Sequence, residues 1–145
     1  MRMFRASLYR TRKWRAQPRE RPMSILDMTT VGNSGWIGHS GPDQTKAKAF
    51  YEHVLGWTIN DMPMQDGSSY SAAVVGETAI GGFSPMPEDR GSWTIYFTTA
   101  DVDACVAKAE AKGATVIQPA MTMPGVGRMA TLTAPQGARF ALITY

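Results

Sequence analysis

Two segments of this chain are built alike, and their repetition constrains the fold more than any other feature. In DQTKAKAFYEHVLG the apolar residues Ala47, Phe50, Tyr51, Val54 and Leu55 recur at helical spacing, with Asp43 near the start and Gly56 at the end. In DVDACVAKAEAKG the stripe is Val102, Cys105, Val106 and Ala109, with Asp101 placed as N-cap and Gly113 as the stop. The two aspartates lie 58 residues apart and the two glycines 57. Each helix follows an alternating strand (WIGHS; WTIYFTT) and precedes three strand-like runs: WTIND, SYSAAVV and TAIGGF in the first copy, TVIQPA, GRMATLT and ARFALITY in the second. Each copy reads βαβββ, so the expected fold class is α+β, with two tandem modules at about residues 35–84 and 92–145. The Gly/Pro/acid-rich stretch at residues 84–92 is the natural linker.

Three strands carrying a helix on one face leave the other face uncovered. Two such curved sheets side by side enclose a concave cleft able to hold a small ligand. Function is therefore sought on the face away from the helices.

With 145 residues, 43% of them hydrophobic, the chain can bury a core of its own. Its single cysteine, Cys105, cannot form an internal disulfide and falls on the apolar stripe of its helix, which fits a reducing cytoplasm and a packing role. No apolar run is long enough to cross a membrane. The net charge of +3 hides an asymmetry: residues 1–22 carry +7 and the remainder carries −4. The basic segment lacks the apolar core of a secretory signal and any DNA-reading motif. It reads as a disordered tail dispensable for folding, or as sequence upstream of a natural start at Met23; the rival reading is a polybasic anchor. Residues 23–34 look like a leader into the first strand. Neither nucleic acid nor membrane is an expected partner of the globular part.

The motifs AFYEHVLGW, DVDACVAKAEAKGA, PGVGR and APQGARFAL resemble the vicinal oxygen chelate superfamily, which contains glyoxalases, bleomycin-resistance proteins and extradiol dioxygenases. The resemblance spans about residues 35–145. The combination of WTIYF, PGVGR and PQGA-x-F is most similar to a bacterial subgroup of glyoxalase-like proteins related to antibiotic-biosynthesis hydroxylase homologues. Members that use a metal place His, Gln or Glu at the starts of the first strands of both modules and a Glu in each last strand. Carried over residue by residue, these positions fall on Trp36, Thr94, Ala141 and Ile80. A divalent metal needs imidazole or carboxylate donors at about 2.0–2.2 Å, and this set does not supply them.

His39 lies on the same strand as Trp36. Strand side chains alternate, so Trp36, Gly38 and Ser40 share one face, while Ile37 and His39 share the other, against the helix. His39 is thus expected to be a partly buried histidine with a backbone partner, and His53 to be solvated. No metal and no other cofactor is expected.

The cleft itself is expected to be lined by Trp36, Thr94 and Tyr96, with Thr98 beyond. Tyr70 and Phe83 are further candidates. Arg139 shares a face of the last strand with Ala141 and Ile143 and stands at the rim, while Arg128 in PGVGR is placed to pair with an anionic group of the ligand. Trp93 and Phe97 belong to the opposite face as core. Met62, Met64, Met86, Met121 and Met123 cluster in loops where thioethers adapt to an apolar ligand or simply pack. No nucleophile–base pair or phosphate loop is present, so no catalytic residue is assigned. The expected function is a metal-independent small-molecule-binding protein, acting by sequestration or by a metal-free reaction on a partly apolar, possibly anionic ligand. Alternatives are a metal-dependent lyase or dioxygenase of the same superfamily and an interaction protein that uses the basic tail. A homodimer is expected, with the cleft formed either within or between chains.

Overall fold

The computed structural model describes residues 27–145; the basic segment at residues 1–22 lies outside them. The elements run β1 (Ser34–Ser40), α1 (Gln44–Leu55), β2 (Thr58–Pro63), β3 (Ser69–Val75), β4 (Thr78–Phe83), β5 (Ser92–Thr98), α2 (Val102–Ala111), β6 (Thr115–Met123), β7 (Gly127–Thr133) and β8 (Arg139–Thr144). This is the βαβββ unit read twice from the sequence. The strands form one curved eight-stranded sheet in the order β2-β3-β4-β1-β5-β8-β7-β6. Each module folds its last strand back beside its first in parallel, β4 on β1 and β8 on β5. The modules then join through an antiparallel β1–β5 seam, in which Trp36 faces Tyr96 and His39 faces Trp93. The concave surfaces of the two modules are therefore continuous across this seam within one chain.

Local sequence sets the helix ends as anticipated. The Asp43 and Asp101 side chains each accept a 3.0 Å hydrogen bond from a backbone amide of the first turn, at Lys46 and Ala104. Gly56 ends α1 in the left-handed conformation, at φ 67°.

The two helices pack differently. α2 is rich in alanine and lies close over β6, β7 and β8. Val102 is buried with Ala130, Leu132 and Leu142, and Cys105, Val106 and Ala109 pack against them. Burial of a side chain such as Leu132 or Val102 contributes about 1.5–3 kcal/mol. α1 departs from expectation: of its stripe, Phe50, Val54 and Leu55 are each more than half exposed. The space beneath α1 is taken by aromatic rings, Tyr51, Trp57, Phe83, Trp93 and the imidazole of His39, at centroid separations of 5.0–6.3 Å. Rings of that size hold the helix off the sheet. Tyr51 reaches inward, and its hydroxyl accepts a 2.9 Å hydrogen bond from Trp93 Nε1.

Met28, Gly32 and Asn33 are tied to the sheet. The Gly32 amide bonds to the Thr98 carbonyl at 2.8 Å, the Thr98 amide bonds to the Asn33 carbonyl at 2.9 Å, and the Thr98 hydroxyl bonds to the Met28 carbonyl. Among the described residues no helix is long and apolar enough to cross a membrane.

Candidate functional site

Strand alternation divides the candidates between two faces. His39 is buried on the helix side, as the facing argument requires, but its partner is a side chain rather than a backbone group. The Gln44 amide nitrogen donates to the His39 carbonyl at 3.0 Å and to the Ser84 carbonyl at 2.7 Å. That fixes the orientation of the amide and leaves Gln44 Oε1 as the acceptor 2.7 Å from His39 Nδ1, so the neutral ring carries its proton on Nδ1. His39 is committed to joining β1, α1 and the segment after β4.

Two expectations are corrected by position. Phe83 shares the helix-side face with His39: it is 3% exposed and packs on His39, Tyr51 and Trp93. The register brings Phe83 opposite His39, so the two side chains share a face, and Phe83 is core rather than cleft lining. Arg128 shares its face of β7 with Ala130 and Leu132, both of which pack under α2, so it too points to the helix side. There its guanidinium makes a forked ion pair with Asp103 of α2, at 2.7 and 2.8 Å, and a 3.1 Å bond to the Thr122 hydroxyl. The bonds from Arg128 hold the Asp103 carboxyl below the usual range, and the same pairing raises the Arg128 pKa.

The remaining candidates, Trp36, Thr94, Tyr96, Tyr70 and Arg139, occupy the concave face. Trp36 Nε1 donates to the Tyr70 hydroxyl at 3.1 Å, and the two rings lie tilted at 6.5 Å. Tyr96 comes from the second module directly across the seam from Trp36. Burial pushes the Tyr70 phenol up to about 12, against the opposing effect of the Trp36 bond, with Tyr96 and Tyr145 adding smaller contributions in the same direction as burial. Burial also raises Tyr96, opposed by the Arg139 charge and assisted by Glu88. Both phenols are neutral hydrogen-bonding groups across the physiological range.

A glycine pair accounts for how these rings fit. Gly38 and Gly82 are neighbours across the β1–β4 pairing. A Cβ at Gly38 would lie 3.0 Å from Tyr96 Cε2 and 3.6 Å from its hydroxyl, and a Cβ at Gly82 would fall within the Tyr70 ring. Each phenol thus lies on a bare stretch of backbone, one per module. The sequence signal for this floor is a glycine at the concave-facing position of WIGHS and of TAIGGF, and it carried no assignment without knowledge of the Tyr70 and Tyr96 rotamers.

At the rim, Arg139 makes a bidentate pair with Glu88, at 3.0 and 2.9 Å. Both residues line an open cleft of about 570 Å³ together with Pro87, Asp89, Arg90 and Ser92. The Ser92 hydroxyl is buried there with no partner among the described residues. Glu88 was absent from the sequence reading because it belongs to the linker, whose path a repeat pattern does not specify. Tyr145 was also missed; its hydroxyl donates to the Gly35 carbonyl at 3.1 Å and closes the far end of the face.

The four positions carried over from metal-using relatives do not fit a divalent ion. The Trp36 indole is a donor only and is engaged by Tyr70, Thr94 is a buried neutral hydroxyl, and Ala141 and Ile80 have no donor atom. Among the described residues no three His, Cys, Asp or Glu side chains converge elsewhere.

Comparison with known proteins gives a consistent picture. The family described as Glyoxalase/Bleomycin resistance protein/Dioxygenase superfamily matches residues 35–142. A Mycobacterium bovis protein named "Putative glyoxylase CFP32" is 41% identical over 99 residues, covering 67% of this chain and 38% of the relative. The anthracycline biosynthesis protein DauV of Streptomyces sp. strain C5 is 30% identical over 127 residues, covering 77% of this chain and 46% of the relative. The chain thus spans less than half the length of these curated relatives. Among solved structures, a methylmalonyl-CoA epimerase variant from Streptomyces coelicolor superposes with a TM-score of 0.55 at 22% identity, covering 79% of this chain and 98% of the other. A 4-hydroxymandelate synthase variant from the same organism superposes with a TM-score of 0.57 at 17% identity, covering 79% and 38%. At such identities the two superpositions establish the fold.

Proposed function

The chain belongs to the Glyoxalase/Bleomycin resistance protein/Dioxygenase superfamily, and within it we propose a metal-independent small-molecule-binding protein that holds a partly apolar ligand on its concave face. The observation that carries this reading is the substitution of the metal-donor positions by Trp36, Thr94, Ala141 and Ile80, with the first of these bonded to Tyr70 instead. Where donors would converge on an ion, this chain presents indole and phenol surface. Such a pocket binds by apolar contact, with a few polar groups fixing orientation. The name of the anthracycline biosynthesis relative supports a flat aromatic ligand. The same site serves sequestration or a metal-free reaction.

We further infer a homodimer in a reducing cytoplasm. Support comes from the exposed Phe50, Val54 and Leu55 of α1, which a second copy would cover, and from the free thiol of Cys105. A thermal-shift screen of polycyclic aromatic compounds, carboxylates and thiol conjugates, run on the chain and on Trp36→Ala, tests the binding reading. Stabilisation by an aromatic compound that vanishes in Trp36→Ala is the expected result. Ligands that stabilise both proteins equally would place binding elsewhere.

A further inference from the structure

We propose that Tyr70 and Tyr96 form a paired hydrogen-bond donor site for one carbonyl oxygen of a flat, uncharged ligand, a ketone or quinone. This rests on the binding reading above and specifies its ligand chemistry. Three features of the concave face lead to it.

The first is the direction of the Trp36–Tyr70 bond. An indole N–H can only donate, so the Tyr70 oxygen accepts and its own proton is left for another acceptor. The second is convergence. Tyr96 comes from the other module, no hydrogen bond from a described residue holds its hydroxyl, and its ring lies over Gly38, which pairs with the Gly82 that underlies Tyr70. Paired strands are about 4.8 Å apart. Two phenols rooted on β3 and β5, whose rings lie over glycines of the adjacent strands β4 and β1, can therefore reach one oxygen placed between them, as paired donors do at oxyanion-binding sites.

The third feature is charge. The two arginines that the sequence offered to an anionic ligand are each occupied by a carboxylate, Arg128 by Asp103 and Arg139 by Glu88. A carboxylate or phosphate ligand would have to displace Glu88 from a two-point pair. An uncharged carbonyl needs only the phenolic protons, and its aromatic body would lie against Trp36.

The test compares 2-acetylnaphthalene with 2-ethylnaphthalene, which lacks the oxygen, and with 2-naphthoate, which carries a charge. Calorimetric titration of the full chain is accompanied by infrared measurement of the bound ketone's C=O stretch. The ketone is expected to bind about tenfold or more tightly than the hydrocarbon and the carboxylate. Its stretch should move to lower wavenumber on binding, and Tyr70→Phe and Tyr96→Phe should each weaken binding about fivefold and each recover part of that shift. Tyr96→Phe leaves the Trp36 bond intact, so it tests the idea even if Tyr70→Phe perturbs packing. Equal affinity for ketone and hydrocarbon, or an unshifted stretch, would overturn the donor pair while leaving aromatic binding standing. Preference for 2-naphthoate would return recognition of the ligand's acceptor group to the donors of Arg139 and overturn it as well. Failure of all three to bind would remove both the donor pair and the binding reading.

Discussion

Substituting Gly82 by alanine adds one methyl group where the Tyr70 ring now lies. The three atoms nearest the added Cβ are the hydroxyl oxygen, Cε1 and Cζ of Tyr70, all inside hard contact. Because the obstacle lies in the ring and not only at its tip, rotation of the hydroxyl gives no relief. Tyr70 must tilt away, and the 3.1 Å bond from Trp36 Nε1 goes with it. Gly82 lacks a positive φ, so alanine is free of backbone strain there and gains about 0.4–1 kcal/mol through a less flexible unfolded chain. Overpacking costs about 1–3 kcal/mol, and losing the hydrogen bond about 1 kcal/mol more. The net expectation is a loss of about 1–3 kcal/mol, or roughly 3–5 °C in melting temperature per kcal/mol for a domain of this size. Gly38→Ala is the internal comparison: its Cβ would meet Tyr96 Cε2 at 3.0 Å and the hydroxyl at 3.6 Å, which a small ring shift absorbs, so its stability should change by less than about 1 kcal/mol. Denaturation of Gly82→Ala, Tyr70→Ala and the double variant completes the cycle. Removing the ring removes the clash, so coupling of about 0.5–3 kcal/mol is expected. Additive effects, or a stability of Gly82→Ala equal to that of the parent, would refute the placement of Tyr70 over Gly82 and with it the geometry of the cleft floor.

Phe83→Ala should destabilise by about 3–5 kcal/mol in chemical denaturation, because a nearly fully buried ring among His39, Tyr51 and Trp93 is removed. Arg128→Ala should leave ligand affinity unchanged in titration, since its guanidinium is engaged by Asp103 on the helix side. The neutral form of Tyr70 is favoured by folding, so its contribution to stability is complete below its unfolded pKa of 10.0 and is lost as pH rises towards about 12. Tyr70→Phe should therefore flatten the fall in stability across that alkaline window, and a parallel decline in both proteins would contradict the assignment. Breaking the Arg139–Glu88 pair with Glu88→Gln should change stability by no more than about 1 kcal/mol, as both side chains are about one-third exposed.

Much of this architecture was legible in the sequence because it rests on periodicity. The duplicated helix signal, with Asp43 and Asp101 as caps, fixed the βαβββ order, and period-2 alternation placed Trp36, Thr94 and Tyr96 on one face and His39 and Trp93 on the other. Phe83 and Arg128 were not placed by alternation, for different reasons. Phe83 is only a loose aromatic candidate for the cleft without a register for β4 against β1, and the pairing with His39 decides its face. Arg128 belongs both to the PGVGR turn and to the strand-like run GRMATLT, and only its place on β7 with Ala130 and Leu132 under α2 decides its face. The stripe on α1 is helical as read, yet Phe50, Val54 and Leu55 stay exposed because packing depends on the ring volume beneath the helix, which spacing alone does not encode. Glu88 and Gln44 act through contacts distant in sequence, to Arg139 and Ser84, and no local pattern announces them.

Titration of the chain with 2-acetylnaphthalene, first after exhaustive chelation and then with added manganese, nickel, iron or zinc, tests metal-independent binding most directly when paired with elemental analysis of protein purified without chelator. The account expects substoichiometric metal and one dissociation constant, unchanged by chelator and by each added ion. Stoichiometric metal, with binding lost on chelation and restored by one of the ions, would contradict it.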